Sequence, residues 1–293
     1  MSHAPSHITH GRAFAIGIGL NLVFVGVEVF YGLLANSSAL LADAGHNASD
    51  VLGLFLAWGA FRLAGREPKG KYTYGLQRST ILSSILNAML LFVAVFFIGK
   101  DAFEKILDPQ PVGGTRVMIV AAIGVVINTI TALLFVKGQK HDLNIKGAFL
   151  HMAADAGVSL GVVVAGFLIN VTGYNWIDPL VSFVIIAVIL WGTWGLFVDS
   201  VDLALDAVPK GINIRKVREA LNNYPGVEDS HDLHVWALST NQTAISVHLI
   251  VPGGGNDEFL AGVQDMLYKR FRISHATIQI ESGAENDIEC HHK

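Results

Sequence analysis

The residues best suited to chemistry in this sequence are two histidine–aspartate pairs with the same spacing. His46 precedes Asp50 by four positions, and His151 precedes Asp155 by four. Residues at this spacing share one face of a helix, so each pair can direct an imidazole and a carboxylate to a common point. Two such helices facing each other would supply two nitrogen and two oxygen ligands, a set that suits tetrahedral Zn²⁺. We therefore predict an intramembrane metal site made of these four residues.

A purely structural role for the four residues is the competing interpretation. One histidine inside a membrane can be a hydrogen-bonded packing residue, and for a single residue that role is as plausible as metal binding. Each ionisable group at the bilayer centre, however, costs about 2.5–3.5 kcal/mol on insertion scales. Four such groups at matched spacing in separate segments would be a costly coincidence, so metal binding is favoured.

Two other acidic residues lie in the same apolar regions. Asp43 precedes His46 by one helical turn, and we expect it to support His46 or to lie on a proton path. A helix-start role beside Ser37 and Ser38 is equally compatible with its position. For Glu28 the sequence identifies no partner.

Composition indicates which elements must position these groups. The 293 residues are 52% hydrophobic and only 15% charged, with a mean hydropathy of +0.49, whereas soluble proteins average about 25% charged residues. This balance predicts an integral membrane protein. A net charge of −4 argues against nucleic-acid binding, and the single Cys290 excludes a disulfide framework or a cysteine-rich zinc module.

Six segments are long enough to cross about 30 Å of hydrocarbon as helices. They are Ala13–Ala35, Ser38–Phe61, Ser79–Gly99, Val117–Val136, Gly147–Ile169 and Pro179–Val198. Lysine and arginine are concentrated at one set of helix ends, which predicts that both termini are cytoplasmic. That set comprises Arg12, Arg62, Arg66, Lys69, Lys71, Arg78, Lys137, Lys140 and Lys146, against Lys100, Lys105 and Arg116 at the other ends.

After Pro209 the composition changes to that of a small soluble domain. The patterns predict a helix at 212–224, strands at 232–238 and 244–251, a helix at 258–271 and a strand at 276–280. The fold class is therefore a six-helix α-helical membrane protein with a cytoplasmic α+β domain of order αββαβ. We expect 1–11 to be a histidine-containing cytoplasmic leader, 12–208 the transmembrane domain, 209–285 the cytoplasmic domain and 286–293 a tail.

Taken together, these motifs resemble the zinc-transporting group of the cation diffusion facilitator family. The resemblance covers nearly the whole chain. It rests on Leu40-Leu41-Ala42-Asp43-Ala44-Gly45-His46 with Asp50, on His151 with Asp155, on Tyr74-Gly75 and Asp178-Pro179, and on His231-Asp232-Leu233-His234-Val235-Trp236 with Ala276-Thr277-Ile278-Gln279-Ile280-Glu281. It implies a homodimeric, proton-coupled exporter, multi-pass in the cell (inner) membrane, with a metallochaperone-like cytoplasmic domain.

The resemblance also implies roles for particular residues. His46, Asp50, His151 and Asp155 would form the transport site, and histidine at position 46 is associated with zinc preference over cadmium. His231, His248 and Glu281 match a regulatory metal site, and Cys290 falls where related zinc transporters place a chelating cysteine. The competing interpretation is that these are solvent-facing histidines without a metal. Arg78 and Asp206 would form an inter-subunit charge pair.

The resulting prediction is proton-coupled export of Zn²⁺, regulated by cytoplasmic zinc, by a protein that is not an enzyme. The nearest alternative is the same fold exporting Co²⁺, Cd²⁺, Mn²⁺ or Fe²⁺, because affinities of such nitrogen and oxygen sites overlap. A metal channel or sensor without coupled exchange is a further alternative. An intramembrane metallohydrolase is disfavoured, since the sequence has no His-Glu-x-x-His and no glutamate beside either pair.

Overall fold

Six long helices and a small α+β domain make up the protein. The structure is a computed structural model that describes residues 8–136 and 143–282. The long helices are α1 (Ile8–Ala35), α2 (Ser38–Ala64), α3 (Ser79–Leu107), α4 (Gly114–Phe135), α5 (Leu143–Thr172) and α6 (Ile177–Ala204). The domain that follows contains α7 (Ile214–Asn222), β1 (Asp229–Ser239), β2 (Gln242–Ile250), α8 (Asp257–Phe271) and β3 (Ile273–Glu281).

The six helices occupy the six predicted segments, which confirms the fold class. Within the described residues, four of them (α3 to α6) are long and apolar enough to cross a membrane, and α1 contributes a shorter apolar stretch, Gly19–Ala35. Helix α2 is less apolar because it carries Asp43, His46 and Asp50. The largest departure at a single helix end is in α3, which runs past Gly99 to Leu107. Ion pairs from Lys100 to Glu104 and from Lys105 to Asp101 support this polar extension.

Contacts between residues divide the chain into two compact units. One runs to Phe55 and resumes from Asn87 to Trp194, and the other combines Leu56–Leu86 with the chain from Gly195 onward. The ends of α2 and α6 and the start of α3 thus belong to the same unit as the C-terminal domain. The domain limits 12–208 and 209–285 stay predictions.

Small residues bring α4 close to its neighbours in the first unit. A Cβ placed on Gly114 would lie 2.8 Å from the carbonyl oxygen of Gly166, so the backbones of α4 and α5 are in near contact there. A Cβ on Gly124 would lie 2.8 Å from the ring of Phe24 and 3.2 Å from Ser159 Oγ. Gly124 therefore marks the point at which α1, α4 and α5 meet, as small residues commonly do in membrane helix packing.

The start of α2 is fixed by an aspartate that is distant in sequence. Asp178, at the start of α6, accepts hydrogen bonds from the backbone N–H groups of Ser38, at 2.6 Å, and Ala39, at 3.4 Å. Ser37 Oγ donates to the other carboxylate oxygen. The first N–H groups of a helix have no partner within it, so this buried carboxylate caps α2 and holds it against α6.

The C-terminal domain matches the predicted αββαβ order. Its sheet has the order β1-β2-β3, with β1 and β2 antiparallel and β2 and β3 parallel. Helices α7 and α8 cover one face, and the core comprises Val217, Leu221, Val235, Ile245, Val247, Leu249, Val251, Val263, Leu267 and Ile273. The register places His231 directly opposite His248 and pairs Ile250 with Glu281. Neighbouring strands thus bring three metal-ligand side chains toward the same end of the sheet.

Candidate metal centres

The four predicted residues of α2 and α5 form a closed ring of alternating imidazoles and carboxylates. His46 Nε2 lies 3.1 Å from Asp155 Oδ1, and His151 Nε2 lies 3.1 Å from Asp50 Oδ2. Within each helix, His46 Nε2 is 3.9 Å from Asp50 Oδ2, and His151 Nε2 is 3.8 Å from Asp155 Oδ2. Each histidine therefore faces both carboxylates, as two facing His-x-x-x-Asp helices require.

The ligand atoms of this centre are close enough to share one ion. Those of His46, Asp50 and Asp155 all lie within 4.8 Å of one another. His151 joins them through its contacts with both aspartates, and its ring centre is 5.9 Å from that of His46. Two imidazole nitrogens and two carboxylate oxygens form a donor set that fits a tetrahedral dication.

Exposure changes across the centre in one direction. The side chains of Asp155 and His46 are 2% and 18% exposed, whereas those of Asp50 and His151 are 26% and 45% exposed. Asp50 lies one turn nearer the end of α2 than His46 does. His151 likewise lies one turn nearer the start of α5 than Asp155 does. Exposure of the ring therefore rises toward the end of α2 and the start of α5, and it is lowest at Asp155.

Asp43 has polar neighbours on two other helices, and its predicted role beside His46 or on a proton path stays a prediction. Its Oδ2 accepts a hydrogen bond from Ser159 Oγ at 2.8 Å, and its carboxyl group interacts electrostatically with that of Glu28. Among the described residues, no hydrogen bond joins Asp43 to His46. Because Ser159 and Glu28 come from α5 and α1, these partners depend on helix packing that the sequence does not display.

A second cluster lies at the edge of the C-terminal sheet. His231 Nε2 is 3.0 Å from Glu281 Oε2, and His248 Nδ1 is 2.9 Å from Glu281 Oε1. The ligand atoms of these three residues lie within 4.8 Å of one another, and the exposed fractions of the side chains are 39%, 16% and 14% for His231, His248 and Glu281. The two nitrogens and one carboxylate fit Zn²⁺ with a further position for a fourth ligand.

Hydrogen bonding keeps the carboxylate of this cluster ionised. Partial burial acts to raise the pKa of Glu281, but hydrogen bonds with His231 and Gln279 and the nearby imidazoles outweigh it. The net effect is a pKa below the ordinary value. Glu281 is thus available as an anionic ligand at neutral pH.

Asp232 is a neighbour of this cluster that the sequence did not single out. Its Oδ2 lies 3.7 Å from His248 Nε2, and its Oδ1 lies 2.9 Å from His234 Nε2. In a regular strand Asp232 and His231 would point to opposite faces. A register shift between His231 and His234, with φ of 49° at Asp232, turns this carboxylate back toward His248.

Roles are also predicted for Cys290 and for the pair Arg78 and Asp206. Cys290 lies outside the described residues. Arg78 forms an ion pair with Asp206 within one chain, and both side chains are about half exposed, at 49% and 52%. A role for this pair between subunits stays a prediction.

Comparison with known protein families decides the identity of the chain. The family model described as "Cation efflux transmembrane domain" matches residues 14–203, and the model "Cation efflux protein, cytoplasmic domain" matches residues 209–283. The chain belongs to the cation efflux family. It is therefore a multi-pass membrane transporter and not an enzyme, which confirms the sequence-based prediction.

Relatives extend the similarity over almost the whole chain. The zinc transporter ZitB of Pectobacterium atrosepticum is 33% identical over 99% of this chain and 92% of its own length. A cadmium, cobalt and zinc/H⁺-K⁺ antiporter of Bacillus subtilis is 29% identical over 98% of this chain and 94% of its own. The solved metal-bound C-terminal domain of CzcD from Cupriavidus metallidurans is 35% identical, covering 24% of this chain and 99% of that domain, with a TM-score of 0.23.

Proposed function

We propose that this cation efflux transporter exports Zn²⁺ from the cytoplasm in exchange for protons. The observation that carries the proposal is the closed ring formed by His46, Asp50, His151 and Asp155. Two carboxylates neutralise the charge of a dication, and two neutral imidazoles complete the coordination without adding charge. This balance matters inside a membrane, where an uncompensated charge is costly.

Proton exchange follows from the chemistry of the same ligands. Imidazole must be deprotonated before it binds metal, so zinc and protons compete for the ring. Histidine titrates near neutral pH, which lets modest changes in proton concentration alter zinc occupancy. The antiporter name of the Bacillus subtilis relative is in line with such exchange.

The exposure gradient indicates the side from which zinc enters. Asp50 and His151 are the exposed members of the ring and lie toward the start of α5. The α4–α5 link carries Lys137 and Lys140, and lysine-rich links lie in the cytoplasm under the positive-inside rule. With the start of α5 on the cytoplasmic side, this arrangement corresponds to the inward-open state of an alternating-access cycle. Helix movements that expose Asp155 to the other side would then complete export.

The C-terminal cluster supports a regulatory role. His231, His248 and Glu281 would hold a Zn²⁺ ion, with Asp232 or Cys290 as candidates for the fourth position. A metal bound there would link the ends of three strands. We further propose that the protein is a homodimer and that cytoplasmic zinc binding favours its transport-competent state.

Zinc flux into proteoliposomes tests the function. We expect wild-type protein to move zinc when a pH gradient is present, and both Asp50→Ala and Asp155→Ala to abolish this flux. Asp108→Ala, which removes an exposed carboxylate from the α3–α4 link, is the matched control and should transport normally. Normal flux in the Asp50 and Asp155 variants would place the cation path elsewhere.

Two further measurements separate the alternatives. Flux that continues unchanged after collapse of the pH gradient would favour an uncoupled channel. Competition among Zn²⁺, Co²⁺, Cd²⁺, Mn²⁺ and Fe²⁺ would establish the cation range, because ligand sets of two nitrogens and two oxygens discriminate weakly among these ions. We expect zinc to compete most effectively.

A further inference from the structure

A second group of buried polar side chains lies beside the membrane metal centre and is not part of it. Glu28, Asp43 and Ser159 are fully buried at 0% exposure, and Asn47 is 1% exposed. Asn47 Nδ2 donates to Glu28 Oε2 at 3.0 Å, and Ser159 Oγ donates to Asp43 Oδ2 at 2.8 Å. Helices α1, α2 and α5 therefore bring two carboxyl groups together inside the bundle.

One oxygen of each carboxyl group has no hydrogen-bond donor among the described residues. These atoms are Glu28 Oε1 and Asp43 Oδ1. The two carboxyl groups interact electrostatically, and Asp43 lies one helical turn from the Asn47 that binds Glu28. Two buried carboxylates this close repel each other, and a proton held by the pair removes that repulsion.

The buried amide of Asn47 gives an independent indication of an occupant. Its nitrogen faces Glu28, yet its Oδ1 is buried and has no donor among the described side chains. Unpaired buried acceptors are costly, so native proteins rarely keep them without an unseen proton, water or ion. Because the unpaired atoms are all acceptors, the site lacks a hydrogen-bond donor, which a proton on either carboxyl group would supply.

The charged groups around the pair belong to the metal centre. His46 and Asp155 act electrostatically on Asp43. Helix α4, which also packs in this region, contributes no ionisable residue from Val117 to Phe135. Within the described chain, no lysine or arginine forms an ion pair with Glu28 or Asp43, and no hydrogen bond or ion pair joins either of them to the four metal-centre residues. Protonation is therefore the available means of reducing their negative charge.

We propose that Glu28 and Asp43 form a proton-binding site that opposes zinc binding at the neighbouring metal centre. This inference rests on the proposed exchange of zinc for protons. When Zn²⁺ enters the ring, it adds two positive charges close to Asp43, and the shared proton leaves to water. When the other side supplies a proton, the pair is reprotonated and zinc is released. Zinc binding thus releases one proton from this pair, in addition to the protons that it displaces from His46 and His151.

Counting the protons released when zinc binds tests this site directly. The full-length protein would carry His231→Ala and His248→Ala, so that binding at the membrane centre is measured. Calorimetry in buffers of different ionisation enthalpy gives the number of protons released per zinc. Glu28→Gln preserves the size of the side chain, and its amide can donate to Asp43. We expect it to release about one fewer proton per zinc and to bind zinc with a correspondingly weaker pH dependence.

Matched variants separate this effect from a general disturbance of the bundle. Asp178→Asn also converts a fully buried carboxyl group to an amide, but Asp178 already accepts bonds from Ser37 and Ser38. Its proton release should equal that of the background protein. Asp43→Asn should match Glu28→Gln, and the double variant should lose no further proton, because the two residues hold one proton jointly.

The possible outcomes are distinct. Unchanged proton release in Glu28→Gln and Asp43→Asn would overturn the proton site while leaving zinc–proton exchange intact. Absence of proton release from the background protein would instead contradict the proposed function. A new dependence on K⁺ or Na⁺ with unchanged proton release would mean that the pair binds an alkali cation, which also overturns the proposal. If the variants do not fold, infrared difference spectra of the background protein test the proposal instead. Zinc binding should remove the absorption band of a protonated carboxyl group. Persistence of that band would overturn the proton site.

Discussion

The membrane centre and the C-terminal cluster use the same side-chain chemistry in different surroundings. The membrane centre has two histidines and two aspartates in a closed ring, with Asp155 only 2% exposed. The C-terminal cluster has two histidines and one glutamate at a sheet edge, with His231 39% exposed. The first set balances a dication by itself, whereas the second leaves a positive charge and a coordination position for water or another ligand.

This difference shows how environment assigns different roles to similar ligands. Inside a bilayer the protein must supply the whole coordination and the whole countercharge, because water is scarce. At a sheet edge water can complete the coordination, so three ligands are sufficient for a reversible site. We therefore expect the membrane centre to be essential for transport and the C-terminal cluster to adjust its rate.

The largest effect is expected from Asp155→Asn in the membrane centre. Removing one charge from a buried ion-pair network typically costs about 3–5 kcal/mol. Zinc affinity at this centre should therefore fall by more than about 100-fold, with complete loss of flux. Zinc titration of the His231→Ala/His248→Ala protein and proteoliposome flux measure these two quantities.

The matched control for this variant is Asp108→Asn, which should change neither quantity. Retention of zinc affinity within a few-fold in Asp155→Asn would show that the buried carboxylate is not a ligand.

A smaller effect is expected from Glu281→Gln in the C-terminal cluster. The substitution removes the carboxylate that contacts both His231 and His248, so zinc affinity at this cluster should fall about 10-fold or more. Transport at saturating zinc should persist at a reduced rate, because the membrane centre is unchanged. Zinc binding and flux are measured on the same full-length sample.

Glu258→Gln, on the exposed start of α8, serves as the control for this substitution. Complete loss of transport in Glu281→Gln would contradict the division between an essential and an adjusting site.

A still smaller effect is expected from Asp232→Asn. Asp232 lies 3.7 Å from His248 Nε2, on the side of the ring away from Glu281. Because this contact orients His248, neutralising Asp232 should weaken zinc binding at the C-terminal cluster by a few-fold. Asp265→Asn, on the exposed face of α8, should leave the affinity unchanged. An effect as large as that of Glu281→Gln would instead identify Asp232 as a direct ligand.

The smallest effect is expected from the exposed pair Arg78–Asp206. Such pairs contribute no more than about 1 kcal/mol. Arg78→Ala should lower the thermal stability of the transporter only slightly, and Arg78→Asp combined with Asp206→Arg should restore it. If Arg78→Ala abolishes dimer formation in crosslinking measurements, the pair has the inter-subunit role that the family resemblance implies.

The parts of the molecule that follow a local pattern could be predicted from the sequence. Helices long enough to span a membrane are recognisable from their apolar composition. The four-residue spacing of His46 with Asp50 and of His151 with Asp155 determines a shared helix face before any packing is known. Likewise, the histidines of β1 and β2 lie in segments that alternate as strands.

The features that depend on packing or on irregular backbone could not be predicted. The electrostatic interaction of Glu28 with Asp43 depends on how α1 approaches α2, and neither segment alone shows this in its sequence. Capping of α2 by Asp178 joins residues about 140 positions apart in the chain. The placement of Asp232 depends on a bulge that reverses the expected alternation. The sequence gives one indication of such contacts, which is a charged residue in an apolar helix with no partner nearby in the sequence, as at Glu28.

X-ray absorption at the zinc edge tests the central claim most directly. The full-length protein with His231→Ala and His248→Ala would be loaded with one equivalent of zinc. We expect four nitrogen and oxygen neighbours at about 2.0–2.2 Å, with the imidazole scattering of two histidines and no sulfur. A six-coordinate oxygen environment, or failure to retain zinc, would show that His46, Asp50, His151 and Asp155 do not bind the transported ion together.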